Sequence, residues 1–261
     1  MASERRLLAP AKLTLSLRVT GVREDGYHLL DAEMVSIDLA DELTFRAGDG
    51  LEVVGEAGLP VASGEDNLVR RALAHVGRRA HVGLVKRIPA GAGLGGGSAD
   101  AAAVLRWAGV GSGPGGPGPA DLAMAARLGA DVAFCLVGGR ARVRGIGEVV
   151  ERLPAEERAL LLLLPPFGVS TPAVYRAWDD LGGPTAGGPN DLEPAALAVE
   201  PRLAAWRDAL GEATGQAPVL AGSGSTWFVE GTPWSLGLDG RPELTDGGER
   251  GRLVAVRTLA P

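Results

Sequence analysis

Pro89-Ala90-Gly91-Ala92-Gly93-Leu94-Gly95-Gly96-Gly97-Ser98-Ala99-Asp100-Ala101-Ala102-Ala103 is the stretch on which the fold turns. Residues 82–88 before it read as a short strand. Residues 99–107 after it are alanine-rich and end in Val104-Leu105-Arg106-Trp107, a strong helix pattern. Five glycines fall within the seven residues from Gly91 to Gly97, directly between these two signals. Such a loop exposes backbone N–H groups that side chains would otherwise shield, and the helix that follows adds the positive end of its dipole. The combination suits phosphate. The competing reading is a loop kept rich in glycine for close packing.

The common phosphate loops do not fit. Gly91-x-Gly93-x-x-Gly96 matches the dinucleotide fingerprint formally, but that fold needs a second strand ending in an acidic residue ~20 residues on. Residues 111–119, full of Gly and Pro, cannot supply it. The Gly-Lys-Ser/Thr of a P-loop is absent, as are His-Arg-Asp and Asp-Phe-Gly of protein kinases.

Working outward, residues 12–19 alternate as a strand with Leu13, Leu15, Leu17 and Val19 on one face, and Arg23-Glu24-Asp25-Gly26 reads as a turn. Residues 34–39, 42–46 and 51–54 read as further strands, separated by Asp41 and by Gly48-Asp49-Gly50. A helix starts after Asp66-Asn67, either of which can cap it. Residues 120–128 read as a second helix after the loop and residues 140–150 as a β-hairpin. Beyond a polar break at 154–157 come a buried strand (159–164), helices at 171–181, 191–197 and 201–214, two strands around a glycine turn, and a last strand at 253–259. The expectation is an α+β chain of two domains, 1–153 and 154–261.

Composition narrows the function. The 261 residues are 46% apolar with net charge −6, so a packed globular protein is expected despite 40 Gly and 18 Pro. No basic cluster offers a footprint for nucleic acid. One Cys and three scattered His give neither a disulfide nor a zinc spacing, and Cys135, between Phe134 and Leu136, reads as a buried apolar residue. The longest apolar run, 159–164, is far short of the ~20 residues of a membrane span, and no secretory h-region follows the N-terminus; a cytoplasmic location is expected. The chain holds only two lysines, Lys12 and Lys86, two tyrosines, Tyr27 and Tyr175, and two asparagines, Asn67 and Asn190. Codon bias explains the scarcity. It also marks the survivors as positions where Arg, Phe or Asp fails chemically.

Read together, the Pro89 to Ala103 stretch, Pro10-Ala11-Lys12-Leu13-Thr14, Asp25-Gly26-Tyr27-His28, Asp66-Asn67-Leu68-Val69, Leu128-Gly129-Ala130-Asp131-Val132, Val174-Tyr175, Asn190-Asp191-Leu192-Glu193 and Gly222-Ser223-Gly224-Ser225-Thr226 resemble the GHMP kinases. Their closest likeness is to the branch that serves non-mevalonate isoprenoid synthesis. The likeness runs from Pro10 to about Phe228. It implies the GHMP fold with the active site in a cleft between two domains, and transfer of phosphate from ATP, with Mg²⁺, to the 2-hydroxyl of a cytidylyl-bearing alcohol. The resemblance makes Asp131 the base and Lys12 its catalytic partner. It makes Pro89, Ala90, Gly91, Ala92, Gly93, Leu94, Gly95, Gly96, Gly97, Ser98 and Ala99 the ATP loop, and Tyr27 and Tyr175 a sandwich for cytosine whose edge His28 reads. From spacing alone Asp131 reads sooner as a helix N-cap, the tyrosines are amphipathic core edge, and Asn67 and Asn190 are caps or turns. Lys86 is either a phosphate partner or an ordinary exposed lysine. Thr14 stands where these kinases commonly have Asn, Ala133 replaces a usual Pro, and residues 232–251 match nothing. The rival functions are a homoserine- or mevalonate-type GHMP kinase and a nucleotide-binding protein of this fold without catalysis.

Overall fold

A computed structural model describes residues 4–55 and 64–261. Two very long strands, β1 (Arg5–Val22) and β2 (His28–Arg46), form an antiparallel pair along their whole length. One half of β2 then pairs with β4 (His81–Lys86), which carries β3 (Gly50–Gly55) in parallel. The other half pairs with β5 (Arg140–Gly145), which carries β6 (Val149–Arg152). A second, antiparallel sheet runs in the order β10 (Glu243–Asp246), β11 (Glu249–Arg257), β7 (Ala159–Leu164), β9 (Trp227–Glu230) and β8 (Val219–Leu220). The α+β class is as expected.

Two expectations need correction. Asp41 does not break a strand: it lies fully buried within β2, because Lys86 and two backbone N–H groups satisfy its carboxylate. The last strand runs over residues 249–257 rather than 253–259. The tail at 232–251 contributes β10, whose four residues are too few for a periodic signal.

Helix α2 (Gly96–Trp107) is the central helix of the first half. Ala99, Ala101, Ala102, Ala103, Val104 and Leu105 are all fully buried. Their small side chains let the helix approach β1, α1 (Leu68–His75) and α4 (Val132–Val137) on different sides, and Trp107 stacks on Phe45 of β2 at 4.8 Å to hold its far end. Helix α3 (Pro119–Leu128) packs on α4. In the second half, α5 (Thr171–Asp180) packs on α6 (Glu193–Val199), and α7 (Arg202–Thr214) lies against the second sheet.

The two halves are sewn together by hydrogen bonds. Asp191 accepts from Arg18 at 2.6 Å and from the Val19 N–H at 3.0 Å, and the C-terminal segment returns to β2 through Leu259 N–H to Ser36 O at 2.8 Å. No helix among the described residues is long and apolar enough to cross a membrane.

Candidate active site

The glycine loop adopts left-handed backbone at Gly91, Gly93 and Gly95, every second residue, with φ of 72°, 75° and 66°. Left-handed glycines alternating with ordinary residues are the backbone pattern from which anion-binding nests are built, and the loop carries that pattern. Its rear is pinned by the second half of the chain. Val169 N–H donates to Gly91 O at 3.1 Å, and the Thr226 hydroxyl donates to Ala92 O at 2.7 Å. The loop leads straight into α2, and together they wall a cavity of about 430 Å³.

Strand β1 packs directly against the loop, Lys12 N–H donating to Leu94 O at 3.1 Å. Its Lys12 and Thr14 are the polar positions of the alternating pattern, yet both are buried, because the loop at Gly95 and the turn at Gly222 close over them. Lys12 Nζ donates to Thr14 Oγ1 at 3.0 Å and lies 3.6 Å from Asp131 Oδ2. Asp131 occupies the N-cap position of α4, but its side chain makes no capping hydrogen bond. The carboxylate is turned to the ammonium instead, with 31% of the side chain exposed toward the cavity. The capping role that spacing gives Asp131 is therefore absent. Ser98 is oriented to the same place: a Cβ on Gly129 would stand 3.7 Å from its hydroxyl, so it faces the turn that delivers Asp131.

The aromatic end is arranged differently from a simple sandwich. Tyr175 on α5 lines the cavity, and burial, followed by the charge of Asp131, pushes its phenol well above the usual range. The ring facing it is that of His28, at 4.7 Å and 33°, with Trp178 edge-on to the imidazole at 5.4 Å. His28 Nε2 is 2.8 Å from Asp179 Oδ1. Tyr27 is 58% exposed, does not line the cavity, and has the Arg23 guanidinium 5.4 Å from its ring centre.

The remaining survivors of the codon bias divide. Asn67 caps α1, its Oδ1 accepting from Val69 N–H at 2.8 Å. Asn190 is buried and saturated: it donates to Leu220 O and Gly222 O at 2.9 and 2.7 Å and accepts from Leu192 N–H at 2.9 Å, which shapes the Gly222 turn under the cavity. Lys86 is neither exposed nor free, but paired with two buried carboxylates, Asp41 and Asp100. Cys135 is buried with its thiol pushed up to about 12, chiefly by desolvation, so it is no nucleophile.

Sequence reasoning missed Thr171 and Ser223, whose hydroxyls meet at 2.7 Å in the cavity wall. It also missed Asp179, whose only signal was its place one helical turn after Tyr175.

Residues 67–139 match the model of the GHMP kinases N terminal domain. The 4-diphosphocytidyl-2-C-methyl-D-erythritol kinase of Paracoccus denitrificans is 41% identical, with 87% of both chains covered, and that of Pelotomaculum thermopropionicum is 40% identical over 85% of this chain. A crystal structure of 4-(cytidine 5'-diphospho)-2C-methyl-D-erythritol kinase superposes with a TM-score of 0.73 at 32% identity, covering 98% of this chain and all of the other. Mevalonate kinase of Methanococcus jannaschii, at 12% identity and a TM-score of 0.59, shares the fold.

Proposed function

The chain belongs to the 4-diphosphocytidyl-2-C-methyl-D-erythritol kinase family of the GHMP kinases, and from that membership we propose how its own residues divide the work. It is an ATP-dependent phosphotransferase of isoprenoid precursor synthesis, acting on the 2-hydroxyl of the cytidylyl alcohol. Residues 1–153 and 154–261 form two domains, with the cleft between them. ATP lies with its phosphates in the nest from Pro89 to Ala99. The alcohol lies across Lys12 and Asp131.

The reaction needs a hydroxyl held in line with the γ-phosphorus and a group to take its proton. The hydroxyl oxygen forms the new O–P bond, the proton goes to Asp131, and the bond to the β–γ bridging oxygen breaks to release ADP. Lys12 orients the carboxylate, and Thr14 Oγ1 holds the Lys12 ammonium in place. The observation that carries this reading is the Lys12 to Asp131 contact beside an anion nest, at a helix start where the carboxylate forgoes capping. A protein that only bound nucleotide would have no use for it.

Among the described residues no cluster of three or more His, Cys, Asp or Glu is placed to cage a metal. Magnesium in such sites is held largely by phosphates and water, and the Ser98 hydroxyl beside the Asp131 turn fits that donor set. When bound, it supplies neutralisation of phosphate charge.

Cytosine belongs at the Tyr175 and His28 end, with Tyr27 as the outer wall and Asp179 fixing the imidazole. A homoserine or mevalonate substrate gives these rings nothing to stack on. The test follows ADP release with Mg·ATP and a panel of the cytidylyl alcohol, homoserine and mevalonate. Preference for the cytidylyl compound is expected; preference for either other alcohol overturns the assignment. Tyr175→Ala should raise KM for the cytidylyl substrate by the equivalent of about 1–3 kcal/mol while KM for ATP stays put. An unchanged substrate KM removes Tyr175 from base recognition.

A further inference from the structure

Lys86 is 4% exposed, Asp41 is fully buried and Asp100 is 2% exposed, and the three come from three different elements. Lys86 closes β4, Asp41 lies within β2, and Asp100 is in the first turns of α2. The ammonium donates to Asp41 Oδ2 and, at 2.8 Å, to Asp100 Oδ2. Asp41 Oδ1 accepts the N–H groups of Arg87 at 2.5 Å and Ile88 at 2.8 Å, the two residues that open the glycine loop. A Cβ on Gly96 would stand 3.1 Å from Lys86 Nζ, so the ammonium lies directly against the backbone where the loop becomes helix. Lys86 and Asp100 also line the cavity.

One ammonium therefore serves two carboxylates beneath a concavity built for an anion. Asp100 Oδ1 is buried with no hydrogen-bond partner, which leaves its charge incompletely compensated. Burial, opposed by Lys86 and reinforced by Asp41, pushes the Asp100 carboxyl up to about 7. Burial alone would lower the Lys86 pKa, but the two carboxylates together raise it.

We propose that Lys86 is a positioning residue of the nucleotide site: acting through Asp41 and Asp100, it joins the two arms of the glycine loop and offsets the negative charge that lies beneath the phosphates. This rests on the reading of the loop as the ATP site. It assigns Lys86 no contact with ATP. Its effect comes from where the loop N–H groups point and from the sign of the field behind them.

The two carboxylate partners make the proposal testable by sign. Lys86→Met leaves the carboxylates uncompensated and should weaken ATP binding by about tenfold or more. Asp100→Asn keeps an oxygen for Lys86 but removes the surplus charge, and should tighten it by about threefold. A role confined to holding the fold would not tighten binding in either variant. The measurements are ATP affinity by calorimetry at about pH 8, the side that favours the ionised Asp100 carboxylate, and KM for ATP against kcat with the cytidylyl alcohol. Opposite shifts in ATP affinity and KM, with kcat changed less, are the expected result. With both variants folded, a Lys86→Met affinity within twofold of the parent, or an Asp100→Asn affinity that does not tighten, overturns the proposal. If Lys86→Met fails to fold, Asp100→Asn decides alone, and an unchanged or weakened affinity there overturns it. Failure of the parent protein to bind ATP overturns the nucleotide reading of the cleft itself, and the proposal with it.

Discussion

Asp131→Asn should lower kcat by about 10²–10⁴, equivalent to about 3–5 kcal/mol of transition-state stabilisation, with KM for ATP little changed. Asparagine has the shape of aspartate and keeps an oxygen for Lys12 Nζ, now 3.6 Å from the carboxylate, but it cannot accept the proton of the substrate hydroxyl. Helix α4 should not suffer, because the Asp131 side chain makes no capping bond to lose. Steady-state kinetics and calorimetric ATP binding on the same preparation check both halves. A variant that turns over at near-normal rate removes Asp131 from the role of base.

Gly93→Ala should be the most damaging single-methyl change in the loop. A Cβ at that position would stand 2.4 Å from Ala221 O and 2.7 Å from Gly224 O, both backbone atoms, at a φ of +75°. The left-handed conformation costs an L-residue about 1–2 kcal/mol, and the overlap with a fixed backbone adds about 1–3 kcal/mol. Relief requires the loop to lift from the 221–224 turn, which points its N–H groups away from the phosphates. Thermal stability and ATP affinity should therefore fall together. Gly113→Ala, where an added Cβ meets nothing within 4 Å, is the matched control and should alter neither. Retention of ATP affinity in Gly93→Ala would show that the nest is not the phosphate site.

The strand, glycine loop and helix from β4 through α2 are legible because each is a local pattern: alternation, φ freedom and alanine propensity are properties of a few consecutive residues. Asp41 shows the limit of such reading. A charged residue in an apolar run looks like a break until the lysine that satisfies it, forty-five positions on, is brought beside it. Lys86 was open for the same reason. Its burial depends on two carboxylates from other elements, and no spacing along the chain encodes that meeting. The Thr171 to Ser223 contact and the Asp179 to His28 contact likewise join segments that are remote in sequence.

The amino-acid order alone thus determined the α+β class, the glycine loop between strand and helix, and the residue types from which the GHMP likeness, with Lys12 and Asp131 in it, is read. Tertiary structure alone decided which charges face each other. It turned Asp131 from a helix cap toward Lys12, set His28 rather than Tyr27 against Tyr175, and buried Lys86 between two acids. The physical reason is that propensity and periodicity act between neighbours in the chain. Desolvation and charge pairing act between neighbours in space, and their energies exist only once the two sheets and α2 have closed around the cleft.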